Sequence, residues 1–291
     1  MERRITVLVV LLIIFSMNIF GINISIEKRE VLAVDELHIT SSKPDIIKVD
    51  NGLFMIEILP NRGRIIWNLY PVNDVSKKFV YSSEDPYLLP FFDEITSQYF
   101  FELGGFYLSE PWNPRSNQPY PYEKYEILQK NNEVHIVLEG MNPTEKIHSK
   151  VVLIIKDSNP KILINVTLQN LSENPVNISL KEFTVFELSY GNLITDYPEI
   201  SQKTLKDFPE YKLFKVDDLK FFGVMKEKHS LKKILEEGYS NHYIQTWGEN
   251  WEEEIGSAPA FRLVDERNKI TLNPYEKHNF QILFEYEFLA E

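Results

Sequence analysis

The stretch Lys161-Ile162-Leu163-Ile164-Asn165-Val166-Thr167-Leu168 sets Ile162, Ile164, Val166 and Leu168 against Lys161, Asn165 and Thr167 at alternate positions. Successive side chains of a β-strand leave on opposite faces, so a period of two describes a strand with one apolar and one polar face. The same period recurs outward from it. Val134, Ile136 and Leu138 alternate with Glu133 and His135. Phe280, Ile282, Phe284, Tyr286 and Phe288 alternate with Asn279, Gln281, Glu285 and Glu287. The continuous apolar run from Val151 to Ile155 suits a strand covered on both faces. Turn formers separate these runs: Asp50-Asn51-Gly52, Pro60-Asn61-Arg62-Gly63, Asp157-Ser158-Asn159-Pro160 and Ser172-Glu173-Asn174-Pro175. One short helix is expected, from Ser230 through Leu231, Ile234 and Leu235, with Gly238 as its stop. No repeat or linker divides the chain. Asp85 to Tyr125 is rich in proline and aromatic residues, and too long for a simple connection.

Composition narrows the function. Of 291 residues, 43% are hydrophobic and 13% aromatic, with 15 Tyr and 19 Phe, a balance that favours strands. The formal net charge is −12. Residues 1–33 hold Arg3, Arg4, Lys28 and Arg29 against Glu2, Glu27 and Glu30, so the remainder carries the whole excess of acid. Such a body repels phosphates, and no nucleic-acid partner is expected. With no cysteine there is no disulfide, thiolate metal site or cysteine nucleophile. The six histidines show no metal-ligand spacing, Asp217-Asp218 and Glu252 to Glu254 lack that of a calcium loop, and no phosphate-binding loop occurs. No metal and no cofactor are expected.

At the start, Arg3 and Arg4 precede an apolar run from Ile5 to Phe15, broken only by Thr6 and continued by Ile19, Phe20, Ile22, Ile24 and Ile26. A basic start before an apolar stretch is the pattern of an export signal. The stretch also approaches the ~20 residues that span a bilayer, so a retained anchor helix fits equally. Either way the body faces the outside, periplasmic or extracellular. Residues 1–33 are therefore expected as signal peptide or membrane anchor, and residues 34–291 as one domain.

Four segments, in order, resemble the galactose-mutarotase-like superfamily. Gly52 to Ile66, with Pro60-Asn61-Arg62-Gly63-Arg64-Ile65, is similar to its opening hairpin. Glu102-Leu103-Gly104-Gly105-Phe106 to Pro111 is similar to its Gly-Gly loop, and Leu168 to Leu180, with Asn174-Pro175-Val176, to its central hairpin. Leu272-Asn273-Pro274-Tyr275-Glu276 resembles its closing turn. The resemblance implies an all-β supersandwich of two large, mainly antiparallel sheets. It also implies a histidine after the central hairpin as general acid and a late glutamate as base. Here Lys181-Glu182-Phe183-Thr184-Val185-Phe186 follows, and none of the six histidines occupies that place. Sugar-ring opening needs a donor that titrates near neutrality, so mutarotase activity is not expected.

Two groups carry the candidate chemistry. In Trp247-Gly248-Glu249-Asn250-Trp251-Glu252-Glu253-Glu254, indole rings stand beside carboxylates; sugar C–H faces stack on such rings while hydroxyls bond to acids. Trp247, Trp251 and Glu252 are ligand-binding candidates, and Glu254 or Glu252 corresponds to the late glutamate; a solvated acidic loop is the plainer reading. Trp112, Asn113 and Arg115 lie between prolines that stiffen their loop. Arg64 and Trp67 on the early strand reach toward the same cleft, or Arg64 pairs with a neighbouring acid. The expected function is extracytoplasmic carbohydrate binding. A sugar epimerase or lyase using Glu182 and Glu254 as acid and base is the alternative, and a structural envelope-interaction domain the third.

Overall fold

The computed structural model describes residues 21–35, 38–81, 91–93, 98–100, 104–110, 112–113, 118–188, 191–246 and 260–288. Seventeen strands build its two large sheets. Along the chain, β1 is Asn23–Lys28, β2 Asp45–Asp50, β3 Phe54–Leu59, β4 Arg64–Pro71 and β5 Phe106–Leu108. Then come β6 (Lys124–Lys130), β7 (Glu133–Asn142), β8 (Ile147–Lys156), β9 (Lys161–Asn170) and β10 (Lys181–Glu187). The rest are β11 (Asn192–Thr195), β12 (Lys212–Val216), β13 (Phe221–Lys226), β14 (His229–Ile234), β15 (Tyr239–Thr246), β16 (Ala260–Arg267) and β17 (Lys277–Phe288).

One sheet has nine strands in the order β1-β2-β3-β4-β5-β10-β16-β15-β12. The other has eight, β6-β7-β8-β9-β17-β14-β13-β11. Every pairing within them is antiparallel, so the expected two-sheet, all-β architecture is what the chain adopts. Alternation decides which residues meet between the sheets. Ile47, Ile56, Ile58 and Phe106 from the first face Ile136, Leu153, Ile164 and Phe284 from the second, all fully buried. Phe106 and Phe284 touch edge to face at 5.1 Å. The sheets are also tied at one end by Asn51. Its Nδ2 donates to the carbonyls of Lys156 and Asn159, at 3.1 and 2.9 Å, while its Oδ1 accepts from the amides of Leu53 and Phe54.

Three details differ from expectation. Ser230 to Ile234 is strand, not helix: it is most of β14, whose Leu231 and Lys233 face inward. A lysine on the buried face hid the period of two and left a helix-like spacing. The segment after β9 is a crossing between sheets, and Val176–Ile178 pairs with Ile270–Leu272 instead of folding back. Asn170 enforces this, because its Nδ2 donates to carbonyls of Asn174, Leu272 and Asn273. Finally, Asn23–Lys28, within the segment assigned to signal or anchor, forms edge strand β1, paired with β2 from Asn23↔Asp50 to Lys28↔Asp45. The apolar run from Ile5 to Phe15 lies outside the described residues.

Candidate functional site

On the nine-stranded sheet, the side chains that alternate with the core form a second, polar and aromatic face, turned away from the partner sheet. Its centre is a row across five strands. Tyr107 of β5 and Phe183 of β10 are cross-strand partners, with rings stacked 4.8 Å apart at 10°. The Arg64 guanidinium lies 4.0 Å over the Tyr107 ring, and that of Arg262 lies 5.4 Å from the Phe183 ring. Flat guanidinium groups stack on aromatic faces where the ring quadrupole attracts them. Arg262 Nε donates to Gln245 Oε1 at 2.6 Å, and Gln245 Nε2 donates to the Tyr211 hydroxyl at 3.2 Å. Arg64, Tyr107, Phe183, Arg262 and Gln245 are buried, whereas Tyr211 is 36% exposed. The row therefore comes to the surface at its β12 end. There Tyr243 packs half-buried on Phe183, Tyr107 and Val264, with Lys215 Nζ 6.0 Å over its ring. Beside it, Glu266 accepts from Asn241 Nδ2 at 3.0 Å and pairs with Lys181 at 3.5 Å.

Local backbone chemistry sets this face. After β3, a single 3-10 turn, Pro60–Arg62, ends on Gly63 in the left-handed region at φ 66°. A Cβ at Gly63 would stand 2.7 Å from Pro119, so only glycine lets the turn and that proline meet. Pro119 in turn pairs with Trp112, which brings the backbone of the Trp112 ribbon beside the start of β4. Gly105, at φ 90°, leaves room for the Arg64 side chain, whose Cδ would lie 3.1 Å from an added Cβ.

Toward β1 the same face turns ionic. Trp67 is buried with Ile46 and Leu59, with the Arg29 guanidinium 5.7 Å from its ring. Glu57 accepts from Asn68 Nδ2 at 2.6 Å and pairs with Arg29 and Lys48, both at 3.2 Å. Burial alone would push its pKa up; Asn68, Arg29 and Lys48 outweigh that and hold it below the ordinary carboxylate range.

Glu182 is one residue from Phe183 and on the opposite face. Its carboxylate is fully buried between the sheets, against Lys233 of β14 at 2.7 Å and Arg267 Nε at 2.5 Å, and accepts from the Tyr239 hydroxyl. Lys233 also reaches Asp265 at 2.5 Å, and Asp265 holds His242 Nδ1 at 2.7 Å. Burial would raise Asp265, but Lys233 and His242 hold its pKa low. Of the five histidines whose side chains are described, His242 alone stands on the nine-stranded sheet, and it faces this interior network.

Of the residues singled out from sequence, Arg64 and Trp67 thus lie on the outer face, and Glu182 lies inside. Trp112 and Asn113 are placed by their backbone alone, in a two-residue strand. Arg115, Trp247, Trp251, Glu252 and Glu254 fall outside the described residues. The link that carries the last four leaves β15 at Thr246 and rejoins at β16, the strands of Gln245 and Arg262. Sequence reasoning missed Tyr107, Phe183, Tyr243, Gln245 and Arg262. One signal was present: Arg262 stands in the apolar run Phe261-Arg262-Leu263-Val264, where a lone charge marks a second face with a use. Among the described residues no group of three or more His, Asp or Glu is arranged to hold a metal.

No protein-family profile matches the sequence, and no characterised protein matches it by sequence. Solved structures do match. A TPR-domain containing protein from Parabacteroides distasonis superposes with a TM-score of 0.70 at 14% identity, over 92% of this chain. This chain spans 55% of that protein's length. A galactose mutarotase-like protein from Clostridium acetobutylicum gives 0.55 at 11% identity, covering 90% of this chain and 99% of its own. One from Lactobacillus casei gives 0.50 at 11%, covering 83% and 99%. Identities this low carry the fold and not an activity, and the fold of this chain is the galactose mutarotase-like β-supersandwich.

Proposed function

We propose that the outer face of the nine-stranded sheet binds carbohydrate, outside the cytoplasm and without mutarotase chemistry. The observation that carries this is the surfacing of the row at Tyr211 and Tyr243: two part-exposed phenol rings backed by the buried Arg262–Gln245 pair and edged by Asn241, Glu266 and Lys181. Rings offer stacking faces for sugar C–H groups, and the edging residues offer fixed donors and acceptors to hydroxyls. The likeness to galactose mutarotase-like structures supports the ligand class. Binding rather than mutarotase chemistry is supported by the inward turn of His242, the one described histidine on this sheet, and of Glu182, the carboxylate that the sequence offered as acid. The epimerase or lyase alternative needs Glu182 on the outer face.

A glycan array probed with the purified protein, followed by calorimetry on the best hit, tests the proposal. Tyr243→Ala and Arg262→Gln should each weaken binding about tenfold to hundredfold, the effect of losing ~1.5–3 kcal/mol. Equal affinity of wild type and both variants would place binding off this face. Polarimetry with galactose should stay at the buffer rate, and a clear acceleration would restore the enzyme alternative. For location, the reading rests on the basic start and apolar run from Arg3 to Phe15. A reporter active only outside the cytoplasm should work when fused after residue 22; silence from it would remove the extracytoplasmic assignment.

A further inference from the structure

Several buried or half-buried cations of this protein meet acids, while Arg64 and Arg262 rest on aromatic rings. Lys233 meets Glu182 and Asp265, Arg267 meets Glu182, Arg29 meets Glu57, and Lys226 meets Glu187. With a net charge of −12, carboxylates are in surplus. Arg62 departs from the pattern. It is half-buried, and among the described residues no carboxylate lies within ion-pair distance of it. Its Nη2 donates to Ser42 Oγ at 2.5 Å, its Nη1 makes a long 3.4 Å bond to the Asn61 carbonyl, and its Nε is buried without a partner. A like charge, Arg64, donates through Nη1 to the Arg62 carbonyl at 3.1 Å. Burial and that neighbour both press the Arg62 pKa downward, with no acid opposing them. A desolvated charge without a counterion is costly, and evolution had acids to spare.

Arg62 also lines a groove. Lys43, Ser42, Asn61, Tyr122 and Glu123 border it with Arg62, around a space of about 370 Å³ open to solvent. That volume admits a small ion or one sugar-sized group. Glu123 is exposed at the lip, and Lys43, also exposed, adds a second cation. Ser42 already aligns one guanidinium nitrogen, which limits the motion the side chain would lose on binding.

We propose that this groove binds an oxyanion of the carboxylate or sulfate class, seated on Arg62 and Lys43. The site is separate from the Tyr211–Tyr243 end of the outer face and stands whether or not carbohydrate binds there. A guanidinium offers such groups paired N–H donors, and the incoming charge supplies what the protein's own acids do not.

The test is calorimetry and thermal melting of the full chain with sodium sulfate, sodium galacturonate and sodium acetate, against galactose and against sodium chloride at matched ionic strength. Wild type should show saturable binding of sulfate or a carboxylate with a Kd of about 1 mM or tighter, and a raised melting temperature. Sulfate and galacturonate distinguish the two anion chemistries, and acetate shows whether the sugar ring of galacturonate contributes. Arg62→Gln should melt no lower than wild type without anion, since a like charge is removed, and should lose at least tenfold in anion affinity. Arg62→Lys should keep part of it. An equal response of wild type and Arg62→Gln, or no saturable binding by wild type, overturns the site. A misfolded Arg62→Gln shifts the decision to Lys43→Ala, an exposed change that should weaken binding severalfold; unchanged affinity there also overturns the site.

Discussion

The two faces of β10 differ by one residue in sequence and by everything in environment. Glu182 points between the sheets and is saturated by Lys233, Arg267 and Tyr239. Phe183 points outward and is sandwiched into a row with Tyr107 and Arg262. Inside, charge is balanced by charge, at a desolvation cost that only close pairing offsets. In the outer row, Arg64 and Arg262 rest on rings and an amide, a surface that hydroxyl-rich ligands can use. Polar residues inside a sandwich therefore need not mark a site: Glu182, Asp265 and His242 have the residue types of catalysis and the wiring of a structural tie.

The contrast can be broken by experiment. Lys233→Met removes the one cation shared by Glu182 and Asp265, leaving them Arg267 and His242, and should cost about 3–5 kcal/mol in urea unfolding. A loss below about 1 kcal/mol would mean that the inner network does not hold the sheets together.

A second test concerns the buried carboxyl that lacks such wiring. Glu110, just after β5, has Oε1 buried without a partner. Burial pushes its pKa up to about 8, Glu145 adds to the rise, and Asn142 opposes it through a hydrogen bond. An acid whose folded pKa is raised is stable to keep below its unfolded value, about 4.3, and loses stability as pH climbs through 8. Glu110→Gln should therefore match wild type near pH 4 and exceed it by roughly 2–4 kcal/mol near pH 9. A constant offset at both pH values would show that Glu110 does not titrate in this range. Asp265, with its lowered pKa, behaves oppositely: its contribution is present above the unfolded pKa and fades as pH falls through the folded one.

The smallest effect belongs to the outer face. Tyr243→Ala should cost at most about 1–2 kcal/mol of stability, because the ring is only partly buried, while its effect on ligand affinity is the larger one. A loss equal to that of Lys233→Met would make Tyr243 a core residue and remove the distinction between the faces.

Much of the fold was legible because alternation is local. Lys161 to Leu168 and Asn279 to Phe288 were read as strands, and both are, paired with each other as β9 and β17. The exception, β14, failed because Lys233 occupies an inward position whose partners, Glu182 and Asp265, lie on other strands. The site was less legible for the same reason. Stacking of Tyr107 on Phe183 and bonding of Arg262 to Gln245 depend on strand order and register, which no local pattern encodes. Arg64 and Trp67 were found only because the Pro60-to-Arg64 turn resembles a known hairpin. Even then the resemblance could not say that Glu182 would turn inward.

Strand β17 sits in the interior of its sheet, hydrogen-bonded to β9 on one side and β14 on the other, and Asn165 meets Gln281 across 116 residues of chain. Assembly of that sheet must then wait for the last of its own strands in chain order. Until Lys277–Phe288 arrives, β9 and β14 each present an open edge and part of the apolar interior stays uncovered. Closure over so long a separation is slow, which leaves the nascent polypeptide exposed to aggregation for that interval.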